Sequence, residues 1–194
     1  SRQSKTMSLS DWHLFRVRPI NFPVRRIVTM SYIVFRYRRT GILEGLANLV
    51  EEASSGEGHI RLEKGLLVAT NGYWAKHFDF SLPSRIMVSN LLGSSRAADI
   101  VVNILLPFIA AWGELNSQAE LGSKAFTLYH GYPKLAENAV VKHMRGQLGL
   151  SSGLVNSAIR QQGLIHIYNS LCTQGRCNCC PLGDGLSNCY YSWK

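Results

Sequence analysis

The chain has 194 residues, of which 46% are hydrophobic, and a formal net charge of +9 at pH 7. This length and apolar content allow a buried core and exclude a low-complexity or disordered protein. In the first forty residues, nine arginine and lysine residues accompany Asp11 as the single acidic residue. This excess predicts an anionic partner, with nucleic acid first and an acidic protein surface or lipid head groups as alternatives.

The longest apolar run, from Ile100 to Trp112, is interrupted by Asn103 and Pro107 and is shorter than the roughly 20 residues that cross a bilayer. It predicts a buried helix and no membrane span. No secretory signal is expected, because the polar N-terminus is not followed by an apolar segment with a cleavage site. Clustered cysteines without an export signal are typical of a reducing compartment, so the sequence predicts a cytoplasmic protein.

The first predicted helix follows Asn21-Phe22-Pro23, covers residues 24–39 and ends near Gly41. At 100° per residue, polar residues form a basic stripe on one side, and apolar residues lie on the other. The stripe consists of Arg25, Thr29, Tyr32, Arg36 and Arg39, and the other side of Ile27, Val28, Ser31, Val34 and Phe35. Guanidinium groups bind phosphate through two N–H groups, so the stripe is either a phosphate-binding surface or an ordinary solvated face.

Arginines and aromatic residues are also mixed in the segment from Asp11 to Pro19, just before this helix. Together the segment and the stripe predict a nucleic-acid-binding set. The set is Arg16, Arg18, Arg25, Arg26, Tyr32, Arg36 and Arg39.

The rest of the chain shows helical patterns separated by glycine and proline residues. The predicted helices cover residues 42–53, 84–92, 96–114, 117–129, 133–147, 154–162 and 164–171, with a bend at Pro107. No alternating stretch predicts a strand, so the fold class is all-α or nearly so. The predicted organisation is a basic segment over residues 1–22, a compact multi-helix domain over 23–171 and a Cys-rich metal-binding loop over 172–194.

All five cysteines lie at or after residue 172. Cys172, Cys177, Cys180 and Cys189 give the spacing Cys-x4-Cys-x2-Cys-x8-Cys, and Cys179 is left over. One compact loop with all ligands is commoner around an iron–sulfur cluster than around structural zinc, which usually takes two separate ligand pairs. The sequence therefore predicts an iron–sulfur cluster, with zinc or a metal-free tail, reduced or disulfide-bonded, as alternatives.

His77 and Asp79 form the one candidate catalytic pair, but no nucleophile accompanies them. The alternative is a hydrogen-bonded histidine packed among the aromatic residues of the same segment. No general acid, base or nucleophile can be assigned elsewhere, so the chain is expected to be, at most, the accessory domain of an enzyme.

Several short motifs occur in a characteristic order along the chain. They are residues 16–26, Tyr73-Trp74 with His77, Leu92-Gly93 followed by Asn103 and Pro107, and Gln161-Gln162-Gly163-Leu164 before Cys172, Cys177 and Cys180. These motifs resemble the C-terminal half of a bacterial family of unknown function whose longer members have a nuclease-like N-terminal half. The resemblance implies an accessory half of a nuclease-like or DNA-repair protein, without the nuclease residues.

A narrower motif is residues 176–182, Arg-Cys-Asn-Cys-Cys-Pro-Leu. It is similar to the iron–sulfur loop of DNA glycosylases of the endonuclease III and MutY type, although the intervals between its cysteines differ. No helix-hairpin-helix glycine motif and no catalytic Lys and Asp accompany it. The resemblance therefore implies a cluster that holds a DNA-facing loop, and not glycosylase activity.

Overall fold

The computed structural model describes residues 8, 11–12, 17–53, 56–177, 180 and 182. Over these residues the protein is mostly helical with a few short strands, which confirms the predicted helical class. The helices are α1 (Pro23–Arg36), α2 (Ile42–Glu51), α3 (Gly58–Leu66), α4 (Ser94–Ile100), α5 (Leu106–Leu115), α6 (Ala119–His130), α7 (Ala139–Gln147) and α8 (Ala158–Ser170). The strands are β1 (Val68–Ala69), β2 (His77–Asp79), β3 (Leu82–Pro83) and β4 (Asn90–Leu92).

The chain divides into two compact units. The first unit contains the described residues up to Glu52 together with Ile60–Ala97, and the second contains Ala53–His59 together with the described residues from Ala98 onward. The organisation predicted from the sequence, with segments 1–22, 23–171 and 172–194, stays a prediction. The strands, which the helical pattern does not predict, all belong to the first unit.

The strands of the first unit replace a predicted helix. β1 pairs antiparallel with β4, and β2 pairs antiparallel with β3. Ser84, predicted as a helix cap, instead bonds to its own chain two residues on: its Oγ donates to the carbonyl of Ile86 (2.7 Å) and accepts from the Ile86 N–H (3.3 Å). A serine that satisfies its hydroxyl in such a turn competes with helix formation, so the helix predicted for residues 84–92 is wrong.

A π-helical turn, Val101–Leu105, joins α4 to α5 at the place where the sequence predicts a bend. Pro107 lacks an N–H, and its ring would collide with the carbonyl four residues earlier in a regular α-helix. The wider turn, in which the Leu106 N–H donates to the Val101 carbonyl, relieves this collision.

The helix formed by α4, the π turn and α5 spans 22 residues, Ser94–Leu115, with a mean hydropathy of 1.6. This helix is therefore longer than the apolar run from Ile100 to Trp112 that predicted it. Within the described residues it is the one helix long and apolar enough to cross a bilayer. Core helices of soluble proteins meet the same criterion, so the structure shows no clear membrane span.

In the second unit, α5 and α6 cross at two glycines. A Cβ atom on Gly113 would lie 2.6 Å from the backbone nitrogen of Gly122 and 2.8 Å from the carbonyl oxygen of Gln118. Carbon cannot approach backbone atoms this closely, so the crossing requires a residue without a side chain.

The extended residues before α7 are held by a buried amide. Gln161 of α8 donates from Nε2 to the carbonyl of Leu135 (3.0 Å) and accepts from the N–H of Leu135 at Oε1 (2.7 Å). α7 starts only after Asn138, whose Oδ1 accepts from the N–H of Val141 (2.8 Å). The helix predicted from residue 133 therefore starts later, because side-chain caps and not apolar periodicity determine its first turn.

α8 continues through Gly163, where the sequence predicts a break between two helices. A glycine inside a helix costs only about 1 kcal/mol relative to alanine, which packing can offset. Gln161 and Leu164 on either side of Gly163 are both buried, so the two predicted helices form one.

Candidate functional site: the first helix and the cysteine segment

Arg25, a member of the predicted nucleic-acid-binding set, is buried inside the first unit. Its Nη1 donates to the carbonyl oxygens of Trp74 (3.0 Å) and His77 (2.5 Å), and its Nη2 to that of Asn90 (3.4 Å). These bonds tie α1 to the turn before β2, to β2 itself and to β4. Arg25 does not fit its predicted role, since its guanidinium is occupied by the protein's own carbonyl groups.

The surroundings of the Arg25 guanidinium are apolar. The ring of Phe78 lies 5.9 Å from the guanidinium carbon, and within the described residues the Nε atom has no hydrogen-bond partner. Burial lowers the pKa of Arg25 below its ordinary value, because desolvation disfavours the charged form. The carbonyl oxygens therefore provide the main polar stabilisation of this charge.

Two further members of the basic stripe also bond within the first unit. Arg36 donates from Nη1 to the carbonyl of Gly65 and from Nη2 to that of Leu67 (2.6 Å), at the C-terminal end of α3. Cations are favoured there because the last carbonyls of a helix lack partners and carry partial negative charge. Tyr32 donates its hydroxyl to Oδ1 of Asn71 (3.2 Å). Arg36 and Tyr32 thus bond to the fold, although the side chains of both are exposed.

The other arginines near α1 are exposed. Arg18 precedes the helix, Arg26 lies in its first turns, and Arg39 follows its end, whereas Arg16 lies outside the described residues. Arg38, which was not in the predicted set, is exposed too and stacks over the ring of Phe35 at 3.8 Å.

The outward side of α1 is apolar. Ile27, Met30, Val34 and Phe35 are 59%, 54%, 45% and 62% exposed, although the sequence analysis placed three of them opposite the binding stripe. Helical periodicity separates two faces but does not say which of them is inside. The sequence indicates this apolar surface, since Ile27, Met30 and Val34 are spaced three and four positions apart.

His77 lies in an aromatic cluster. The ring of Tyr73 stacks on the His77 ring at 3.8 Å, and His77 Nδ1 lies 2.9 Å from the Tyr73 carbonyl oxygen. The Tyr73 hydroxyl donates to the carbonyl of Phe80 (2.6 Å), and Trp74 packs edge-on against Phe80. These contacts fit the packing interpretation of this histidine.

The predicted cysteine ligands occupy different surroundings. The Sγ of Cys172 lies 4.0 Å from the Sδ of Met144 and packs against the core between α7 and α8, whereas Cys177 is exposed. The backbone N–H of Cys180 donates to the Cys177 carbonyl (3.2 Å), and Cys179 and Cys189 lie outside the described residues.

Within the described part of the chain, no three His, Cys, Asp or Glu side chains are grouped so as to hold a metal ion. The Cys-rich metal-binding loop is not supported, and the iron–sulfur cluster stays a prediction from the sequence.

The packing of Cys172 gives a testable expectation. Replacing Cys172 with alanine should lower the free energy of unfolding by about 1 kcal/mol, since it removes a sulfur packed against a buried methionine. The same change at the exposed Cys177 should alter it by less than about 0.5 kcal/mol. Urea unfolding measures both, and a parallel loss of bound iron from the two variants, measured on protein purified without air, would show that both thiols are metal ligands instead.

Residues 2–138 of the chain match the family described as "Protein of unknown function (DUF2851)". No curated protein and no solved structure matches the chain. The matched range includes the first unit and the helices α5 and α6, and it ends before the cysteine segment. The match by itself shows neither the predicted resemblance to a nuclease-associated half nor the one to an iron–sulfur loop. Because the matched range covers well over half of the sequence, the chain belongs to this family of uncharacterised proteins.

Proposed function

We propose that this protein is a non-catalytic binding module that holds an anionic macromolecule through the exposed arginines on and beside α1. The observation that carries the proposal is the exposure of Arg18, Arg26, Arg38 and Arg39 around a helix that contains no acidic residue. Within the described residues none of the four forms an ion pair with a carboxylate. Such uncompensated charge attracts an anionic partner and accelerates its association.

Nucleic acid is the first candidate partner, with the protein as the accessory half of a nuclease-like or DNA-repair protein. Support comes from the use of arginine, whose planar guanidinium binds phosphate oxygens through two parallel hydrogen bonds. The positive charge of the first forty residues adds a sequence-independent attraction to the phosphate backbone.

An acidic protein surface is the second candidate, with the protein as an assembly subunit. The apolar side chains between the exposed arginines favour it, because phosphate backbones offer little apolar surface to cover them. An anionic lipid surface is the other candidate of this kind, since it also combines negative charge with apolar groups.

The proposal is tested with a triple variant, Arg18→Gln, Arg26→Gln and Arg39→Gln. We expect its affinity for a 20-nucleotide single-stranded DNA or for poly-glutamate, whichever the native protein binds, to fall about tenfold or more at low salt. For DNA, the slope of log K against log salt should shrink by about two, since each lost phosphate contact contributes about 0.7 on single strands. Fluorescence anisotropy at several salt concentrations measures both quantities.

A matched control removes the same charge from elsewhere on the surface, through Lys76→Gln, Arg85→Gln and Arg176→Gln, three exposed positions. We expect a loss of affinity of about twofold or less, because these three residues are not among the arginines on and beside α1 that would contact the partner. Equal losses of affinity in the two triple variants would show that net charge alone, and not the position of the arginines, determines binding. Absence of binding to both probes by the native protein would also contradict the proposal.

A further inference from the structure

The outward side of α1 carries an apolar seam, formed by Ile27, Met30 and Val34, with the exposed ring of Phe35 beside it. At 100° per residue the three side chains fall within a sector of about 60°. All three are about half exposed, and the hydroxyl of Ser31 beside them donates back to the carbonyl of Val28. Among the residues that the structure describes, the seam is thus an apolar surface without a packing partner, next to a polar side chain that is satisfied within its own helix.

The intervals of three and four residues in the seam are those of the a and d positions of a heptad repeat. Apolar residues at these positions form the contact surface of one helix lying along another. The side of α1 away from the seam is bonded to the protein's own carbonyls through Arg25 and Arg36, so the seam is the side of this helix that is open to a partner.

The charges beside the seam select the partner. Arg26 directly precedes Ile27 and so occupies the flanking g position, and Arg38 lies in the turn just after the end of α1, beyond Val34. Residues at flanking positions set the choice of partner through ion pairs between helices. A second copy of α1 would bring arginine against arginine, because this helix has no acidic residue, and the repulsion disfavours self-pairing.

α1 is also anchored to the first unit through its inward side. Arg25 and Arg36 anchor its inward side to carbonyl groups of the first unit, and Tyr32 adds a bond to Asn71. A surface that is already ordered loses little conformational entropy on binding, which raises affinity for a given area of contact.

From this geometry we propose that α1 is a docking site for an acidic amphipathic helix of another protein. That helix places apolar residues on the seam and glutamate or aspartate residues opposite Arg26 and Arg38. The inference rests on the proposed binding of an anionic partner and specifies that this partner is a protein. This is the helix-to-helix mode of peptide recognition, in which residues at intervals of three and four are the anchors.

The test uses a synthetic peptide of about three heptads with leucine at the a and d positions and glutamate at e and g. A scrambled peptide of the same composition keeps the charge and loses the apolar stripe. We expect the native protein to bind the patterned peptide at least about tenfold more tightly than the scrambled one. Replacing Ile27 and Val34 together with serine should weaken binding of the patterned peptide about tenfold or more, as loss of two apolar anchors implies.

The matched control replaces Ile86 and Met87 with serine, two apolar residues of the same unit that are 70% and 76% exposed. We expect it to change peptide affinity by less than about twofold. Because all four positions are exposed, the urea midpoints of both double variants should stay close to that of the native protein, which separates lost docking from lost folding.

The other outcomes overturn the inference in distinguishable ways. Equal binding of patterned and scrambled peptides, or unchanged affinity after the Ile27 and Val34 replacements, would remove the docking site and leave arginine-dependent binding intact. Seam-dependent binding to vesicles of anionic phospholipid, or seam-dependent dimerisation in sedimentation, would assign the surface to a membrane or to a second copy. Binding of neither peptide would remove the docking site, whereas the proposed function is decided by the measurements with DNA and poly-glutamate.

Discussion

Replacing Arg25 with methionine should lower the free energy of unfolding by about 3 kcal/mol. The substitution keeps most of the buried volume and removes the donors to the carbonyl groups of Trp74, His77 and Asn90. An acceptor left unpaired in the interior costs about 1–3 kcal/mol, and hydrogen bonds from a charged donor are stronger than average. Urea unfolding followed by circular dichroism measures the change.

The neighbouring arginine provides a matched control. Arg26→Met makes the same chemical change one residue along the helix, at an exposed position, and should alter stability by less than about 0.5 kcal/mol. Arg25→Lys should fall between the two, since a single ammonium group cannot reproduce the fork of donors. Equal midpoints for the Arg25 and Arg26 variants would mean that the buried guanidinium contributes no net stability.

The second large effect is expected at the crossing of α5 and α6. Gly113→Ala should destabilise the protein by about 2 kcal/mol, because the new methyl group overlaps the backbone of Gly122 and must push the helices apart. The intrinsic preference of alanine over glycine in a helix, about 0.5–1 kcal/mol, acts in the opposite direction and is smaller.

Gly163→Ala is the matched control, in α8 of the same unit. No atom lies within 4 Å of a Cβ built at this glycine, so the substitution adds no overlap. It should raise stability by about 0.5–1 kcal/mol through helix preference and a less flexible unfolded chain. Changes of the same sign at the two glycines would show that close approach does not determine the effect at Gly113.

The helices were largely predictable from the sequence, and the exceptions have local causes. Periodic apolar residues and the cap at Asn21-Phe22-Pro23 indicated α1 to within a few residues. The pattern failed at Ser84, whose side chain closes a turn, and at Gly163, where packing of buried neighbours outweighs the flexibility of glycine. Strands of two or three residues are too short to show alternation, so none was predicted.

The candidate site was predictable only in part. Its location on and around α1 followed from charge, and Arg18, Arg26 and Arg39 are exposed as a binding role requires. Arg25 and Arg36 were assigned to the same surface because they share one side of the helix. Nothing in their spacing indicates that their N–H groups would donate hydrogen bonds to carbonyl groups some thirty to sixty-five residues away in the chain.

The amino-acid sequence alone determined that α1 has two unlike sides and that its surroundings are strongly basic, because both properties follow from residue type and a repeat of 3.6 residues per turn. The tertiary structure decided which side is inside. That choice depends on carbonyl groups of the 3-10 turn before β2, of β2 and β4, and of the end of α3, which become acceptors for Arg25 and Arg36 only when distant segments meet. Burial of Arg25 and Thr29 leaves Ile27, Met30 and Val34 on the outside, and thereby creates the surface proposed for docking.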